Sequence, residues 1–209
     1  MIKLKLKDNS IMEIEAGLTV LDVAKKISEG LARVATAGEI DGEVVDLRTV
    51  INKDCLLNIL TFDTLNGKKA YWHTTSHILA QAVKRLYPEI KLAIGPAIDN
   101  GFYYDFDTET PFTPEMLEKI EAEMKKIIKE EIEIEKFTLS KEKAIELMKD
   151  EPYKVELIED LAEGEEISFY KQGDFTDLCA GPHLVGTGKV KAIKLLTSSR
   201  SILAWKWKK

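Results

Sequence analysis

The three histidines of this 209-residue chain all lie in two short stretches about a hundred residues apart, His73-Thr-Thr-Ser-His77 and Cys179-Ala-Gly-Pro-His183. The two stretches read as converging walls of one polar site. Any fold for the chain then has to bring a helix and a remote turn face to face. His73 and His77 sit in a run from Tyr71 to Tyr87 whose Ile78, Leu79, Ala82, Val83 and Leu86 recur at helical spacing and which stops at Pro88. A separation of four puts both rings on one helix face. Cys179 and His183 have the same separation, but Gly181-Pro182 between them would break a helix, so that pair belongs to a turn.

Three chemistries fit the quartet. Two imidazoles and a Cys-His pair match a tetrahedral zinc site, closed when structural and open at one position when catalytic. The same groups could serve as acid, base and hydrogen-bond donors in a metal-free hydrolytic cleft, because imidazole titrates near neutral pH. A buried packing cluster, with Cys179 as a small hydrophobe, is the third reading. It is the weakest, since packing has no need of every histidine in the chain.

A hydrophobic content of 44% suffices for one generous domain or two modest ones. No stretch approaches the ~20 apolar residues of a membrane span. The start, Met-Ile-Lys-Leu-Lys-Leu, alternates where a signal peptide would carry a solid apolar block, so a cytoplasmic protein with no membrane partner is expected. Cys55 and Cys179 lie in different parts of the chain and argue against a disulfide framework, with Cys55 read as core. From Asp107 to Tyr170 twenty acidic residues face nine lysines, a balance of −11 within a total of −6, which leaves +5 elsewhere. A phosphate partner would approach Lys68, Lys69, Lys84, Arg85 and Lys91, or the tail from Lys189, a set that reads equally well as plain solvated surface.

Residues 1–62 read as a small α+β unit. Ile2, Leu4 and Leu6 alternate with lysines, Asp8-Asn9-Ser10 turns the chain, and Met12 and Ile14 alternate again. Thr19 caps a short helix that Gly30 closes, and apolar runs follow at Leu31 to Ala37, Val44-Val45 and Cys55 to Leu60. That order is the order of a ubiquitin-like β-grasp. Phe62 to Lys69 reads as a polar joint before the histidine helix. Asp99-Asn-Gly101 is a hairpin turn and the aromatic run behind it a strand, in which Tyr103 and Tyr104 face opposite ways. Thr113 and Pro114 open a long helix, Ile132 to Leu139 suggests a strand, Ser140 caps a second helix, and Ile167 to Tyr170 is again a strand.

The pair His73-x-x-x-His77, the stretch Ile94-Gly-Pro-Ala-Ile-Asp-Asn-Gly-Phe-Tyr-Tyr-Asp105 and the stretch Asp177-Leu-Cys-Ala-Gly-Pro-His183 together resemble the N-terminal half of bacterial threonyl-tRNA synthetases. The resemblance implies an α+β chain with a TGS domain at 1–62 and an editing domain at 63–199, of the kind shared by threonyl- and alanyl-tRNA synthetases. It implies hydrolysis of the ester joining serine to the 3′ end of tRNA(Thr), with the acceptor end as partner and water as nucleophile. A synthetic site that selects threonine cannot strongly reject serine, because one methyl is worth roughly 1–3 kcal/mol.

The residues matching the family's editing site are His73, His77, Tyr104, Lys154, Asp177, Cys179 and His183. His73 is expected to polarise or position the water through the terminal ribose, and Lys154 to take the second water-activating or charge-stabilising role. Asp177 would anchor the substrate ammonium and Tyr104 position nucleotide or serine, while His77, Cys179 and His183 shape the serine pocket. Related alanyl-type editing domains hold zinc at this signature, and His73, His77, Cys179 and His183 are competent ligands. The threonyl resemblance implies editing that requires no cofactor.

The family's class II catalytic domain, which binds ATP, threonine and a zinc ion and through which full-length relatives pair as homodimers, is expected to be absent, so the chain should not charge tRNA. After Ser199 the family would continue with a sequence like Gly-Ala-Tyr-Trp-Arg-Gly, where this chain has Arg200-Ser-Ile-Leu-Ala-Trp-Lys-Trp-Lys-Lys209. One choice among synonymous codons, AGG AGC ATA TTG GCG TGG AAA TGG AAA, spells Arg200 to Lys208 and, read one base later, spells the family peptide, so the tail is compatible with a shifted frame. Residues 200–209 are therefore expected to come from a single-base frameshift, which the DNA across codons 197–203 decides. A free-standing trans-editing factor and a non-catalytic tRNA- or protein-binding module are the alternatives.

Overall fold

A computed structural model describes residues 1–98, 100–162 and 164–199. Alternation of apolar residues with lysines makes β1 (Ile2–Leu6), with Ile2 and Leu4 turned inward, and β2 (Ile11–Ile14) returns beside it. After β3 (Leu18–Thr19), Thr19 and Asp22 close a reciprocal capping box on α1 (Val20–Ile27). The chain goes on through α2 (Glu29–Val34), β4 (Ala35–Ile40), β5 (Glu43–Val45), β6 (Val50–Ile51) and β7 (Cys55–Thr61). β1 runs parallel to β7, and the sheet order β2-β1-β7-β4-β5 is that of the expected grasp. Val20, Val23, Leu47 and Leu57 pack on Leu4 at its centre, and Cys55 is core.

Gly30 does not close α1. Ser28 ends it and its hydroxyl accepts the Leu31 N–H, so Gly30 lies inside α2 and the run Leu31 to Val34 is helical. The joint before the histidine helix is also shorter than expected. Thr64 accepts the Gly67 N–H and α3 (Leu65–Leu86) begins at once, taking Asn66 to Lys69 into its first turns. Gly67 permits the tight entry: a Cβ there would lie 1.8 Å from the Thr61 carbonyl oxygen.

α3 is the central element. Ten consecutive residues, Thr74 to Val83, are buried, so the helix is enclosed on all sides where the sequence pattern suggests a single apolar stripe. Beyond it come β8 (Lys91–Leu92), β9 (Ala97–Ile98), β10 (Gly101–Phe102) and β11 (Phe106–Asp107), with β9 paired to β10 and β8 to β11. The aromatic run is thus split between two short strands, because Tyr103 and Asp105 donate their N–H groups to the Pro96 and Ile94 carbonyls. α4 (Pro114–Lys129), capped by Thr113, lays Ile120, Met124 and Ile127 against Ile78 and Val83. β12 (Ile134–Leu139), β13 (Ile167–Gln172) and β14 (Phe175–Leu178) form an antiparallel sheet under α5 (Lys141–Leu147) and α6 (Pro152–Glu159).

Ala37, Leu60 and Ala70 form a small buried contact between the first sheet and α3. No helix among the described residues is long and apolar enough to cross a membrane. The tail from Arg200, the position of Asp99 in the hairpin turn and Glu163 in the turn before β13 lie outside the described residues.

Candidate functional site

α3 and the strandless loop after β14 meet as the two sequence motifs require. The His183 ring centre lies 4.1 Å from that of His73 and 4.2 Å from that of His77, and the rings of His73 and His77 are 5.1 Å apart. Cys179 Sγ is 3.0 Å from His183 Nε2. One ligand atom from each of the four residues falls within 4.8 Å of all the others.

Thr74, between the two helix histidines, fixes the protonation pattern. Its hydroxyl donates to the Ala70 carbonyl at 3.1 Å and accepts the Leu184 N–H at 2.9 Å, so toward His183 Nδ1, 3.0 Å away, it offers a lone pair. His183 therefore carries its proton on Nδ1 and turns the Nε2 lone pair to the Cys179 thiol. Burial holds the whole cluster uncharged. It lowers His73 to about 4 and His77 to about 3, drives His183 well below the usual imidazole value and pushes the Cys179 thiol up. At His73, burial outweighs the Asp177 charge and the nearby Pro182 carbonyl, which favour the protonated form.

Beside the neutral quartet lies a charged pair. Lys154 Nζ is 2.7 Å from Asp177 Oδ1, and both side chains are almost wholly buried. Tyr104 donates to Asp177 Oδ2 at 2.7 Å, and the Leu178 N–H to Oδ1 at 2.8 Å. Burial alone would raise the Asp177 carboxyl, but the Lys154 charge and these hydrogen bonds more than offset it, so the group stays ionised below its ordinary value. His77 Nε2, 3.7 Å away, is neutral and makes a dipolar contact. Both carboxylate oxygens are occupied by the protein, so a substrate ammonium at Asp177 would have to displace a partner. Tyr104 is buried while Tyr103 is exposed, as their alternation predicts. Gly95 gives the Tyr104 ring its place, for a Cβ there would sit 2.1 Å from it.

His73, unlike His77 and His183, keeps an exposed side. It lines a cavity of about 380 Å³ together with Val44, Asn66, Lys69, Pro96 and Pro182. That volume falls within the roughly 300–1,000 Å³ of small-molecule clefts.

The donor set fits zinc. Bonds of about 2.0–2.3 Å space tetrahedral ligand atoms roughly 3.4 Å apart; the atoms here lie within 4.8 Å of one another, with Cys179 Sγ and His183 Nε2 at 3.0 Å, so the wider pairs would draw in and that pair open. The His183 Nε2 lone pair already points inward, and a metal would draw the proton from the Cys179 thiol.

Several lysines and arginines of the sequence reading are committed to structure. Lys84 binds Glu151 at 2.7 Å, Arg85 grips Glu130 with both terminal nitrogens, and Lys91 donates to the Asp150 carbonyl. Lys69, at the cavity, is the member of that set beside the site. Sequence reasoning missed Thr74, Tyr170, Asp46 and Arg48, all of which touch the His183 loop. Thr74 could have been found from its place inside the histidine motif. Nothing in the sequence marks the other three.

A grasp-type sheet is followed in this chain by a histidine- and cysteine-bearing α+β region. Residues 2–61 match the TGS domain family, and residues 167–205 match the threonyl and alanyl tRNA synthetase second additional domain, six residues into the tail. The relatives are more particular. The threonine–tRNA ligase of Acetivibrio thermocellus is 67% identical over 199 residues, covering 94% of this chain and 31% of its own length. That of Clostridium botulinum (strain Langeland) is 66% identical with the same coverage, and that of Caldanaerobacter subterraneus subsp. tengcongensis is 66% identical over 194 residues, 92% of this chain and 30% of its own. The chain is homologous to the N-terminal TGS and editing-type region of threonyl-tRNA ligases, and it spans about three-tenths of the length of those curated relatives.

Proposed function

We propose that this chain hydrolyses the ester linking serine to the 3′ end of tRNA(Thr), in the cytoplasm, with a TGS domain at 1–62 and the editing domain at 63–199. The observation that carries the reading is His73: it alone among the four motif residues lines the cavity, and it does so as a neutral imidazole, which has one ring nitrogen able to accept a hydrogen bond. Such a nitrogen accepts a hydrogen bond from the terminal ribose or from a water held by it. The water oxygen bonds to the ester carbon, the bond from that carbon to the ribose oxygen breaks, and the water proton passes to the departing oxygen.

His77, Cys179 and His183 pack behind His73, outside the cavity lining, and shape the serine pocket through the position they give that ring, the pocket being read as too tight for a further methyl. Lys154 places positive charge behind these residues and, with Tyr104, fixes Asp177, so the polar floor is set before substrate arrives. The residues proposed as catalytic are His73, Lys154, Tyr104 and Asp177. None of these steps uses a metal. If three of the quartet held zinc and its fourth position stayed open, the ion would supply Lewis acidity toward the ester or its water.

The purified chain is expected to release serine from seryl-tRNA(Thr) and to spare threonyl-tRNA(Thr), equally with and without chelator. His73→Ala should slow the release by about 10²-fold or more. A folded chain that leaves the ester intact would overturn the reading, and loss of activity with chelator would replace the metal-free route by a metal-bound one.

A further inference from the structure

The loop that carries His183 has no strand or helix of its own, and much of what holds it comes from the N-terminal unit. Asp46, between β5 and β6, is buried although it is 137 residues away in sequence. Its Oδ2 accepts the His183 backbone N–H at 3.2 Å and the Tyr170 hydroxyl at 3.0 Å. Its Oδ1 accepts the Arg48 N–H at 2.9 Å and pairs with Arg48 Nη1 at 2.8 Å. Arg48 then donates to the Leu184 carbonyl at 2.9 Å, the His183 carbonyl at 3.4 Å and the Ile134 carbonyl. Both backbone polar groups of His183 are thus tied to one Asp-Arg pair of the first unit.

Tyr170 links the pair to the turn itself. Gly181 lies so close that a Cβ there would be 2.1 Å from the Tyr170 hydroxyl, at a φ of +76°. The hydroxyl's position is set by Asp46, so the turn that aims Cys179 and His183 rests on the same carboxylate. On the opposite side Thr74 of α3 holds the ring and the next amide. Remove the Asp-Arg pair and the His183–Leu184 stretch keeps Thr74, while Ser168 still ties the loop at Cys179 and Ile134 ties it at Val185. Val44, two residues before Asp46, also lines the cavity beside His73.

We propose that Asp46 and Arg48 are positioning residues of the hydrolytic site, so that the N-terminal unit is the clamp that sets His183 and one wall of the cleft. This rests on the hydrolytic reading above. A displacement of about 1 Å in a catalytic wall can cost on the order of 10²-fold in rate. In the full chain, Asp46→Ala and Arg48→Ala should each lower kcat for seryl-tRNA(Thr) by about 10- to 100-fold, with KM within about threefold. Asp46→Asn, which keeps an acceptor oxygen, should recover part of the loss. Leu4→Ala, which weakens the same unit away from the clamp, should leave kcat unchanged at a temperature where the chain is folded.

Amide hydrogen exchange at His183 and Leu184 should rise in Asp46→Ala and in Arg48→Ala and stay at the wild-type rate in Leu4→Ala. If Asp46→Ala does not fold, Arg48→Ala carries both measurements. Wild-type deacylation with kcat of the clamp variants within twofold of it overturns the proposal. So does a loss of kcat that Leu4→Ala shares. A wild-type chain with no deacylation overturns the hydrolytic reading instead, and exchange at His183 and Leu184 that stays at the wild-type rate in Asp46→Ala and Arg48→Ala would overturn the clamp as well.

Discussion

Of the thirteen polar side chains buried among the described residues, only Thr36 and Asp46 belong to the first 62 positions; the other eleven lie from Thr74 onward. The N-terminal sheet closes on Leu4, Val20, Val23, Leu47 and Leu57, an interior in which almost nothing needs a hydrogen-bond partner. The second region encloses hydroxyls, amides, imidazoles and an ion pair, and no buried side-chain nitrogen or oxygen among the described residues lacks a partner. Each such group costs about 1–3 kcal/mol if left unpaired. An interior of that kind is therefore held in one arrangement by its own penalties. The first region has the simpler core, and the polar group it buries at the junction, Asp46, faces the second. The buried polar groups thus gather around α3 and its junction with the first sheet, and the remainder of that sheet's interior is closed by apolar packing.

The sharpest way to break the contrast is to remove one half of the buried ion pair. Asp177→Ala leaves Lys154, 3% exposed, with no countercharge and Tyr104 with no acceptor, and should cost about 3–5 kcal/mol in denaturant unfolding. Replacing both partners, Asp177→Leu with Lys154→Met, should recover most of that stability and none of the deacylation. If the double variant regains activity, the pair is packing only. If Asp177→Ala costs no more than a surface substitution, the second region is not as tightly determined as its hydrogen bonds imply.

Much of this was legible before any coordinates. His73, His77, Cys179 and His183 converge as their spacings predict, because a helical period and a Gly-Pro break are local facts that tertiary packing rarely overrides. The β-grasp order followed from alternation in β1 and β2 and the Thr19 cap. Errors fell where local signals competed. At Gly30 a breaker lost to the Ser28 cap, and at Asn66-Gly67 a turn signal lost to the Thr64 cap and the close packing on Thr61. The Asp46–His183 contact was illegible in principle, since an Asp in a loop carries no mark of a partner 137 residues away. The burial of Lys154 was hidden for the same reason: its countercharge is remote in sequence.

In the first region the expected response is of another kind. Leu4→Ala opens a void in an apolar core and should cost about 2–4 kcal/mol, read as a lowered denaturant midpoint with an unchanged slope. Per folded molecule, the deacylation rate should be that of the wild type. A comparable stability loss that also removes activity would mean that the two interiors are one cooperative site, and the contrast would fail.

The smallest effect separates two kinds of buried polar group within the second region. Glu121 lies on α4 away from the histidines, and its carboxylate accepts from Lys125 Nζ at 2.7 Å and from the Leu195 N–H at 3.0 Å. The hydrogen bond from Lys125, then that from Leu195, hold its pKa at about 2 against the ordinary 4.5, although partial burial opposes them. A carboxyl whose folded pKa is depressed stabilises the fold fully above its unfolded pKa, and that contribution disappears as pH falls from about 4.5 through about 2. Lys125 and Lys194 are exposed, so solvent screens the interaction and the stabilisation should be about 1 kcal/mol or less, reduced further by salt. The stability difference between wild type and Glu121→Gln should therefore be greatest near neutral pH, shrink below about 4.5 and vanish near 2. A difference that is flat with pH would mean that Glu121 is bonded through its shape and not its charge. It would then belong with the hydroxyls and amides around α3, and Asp177 would stand alone as the charged carboxylate of that interior.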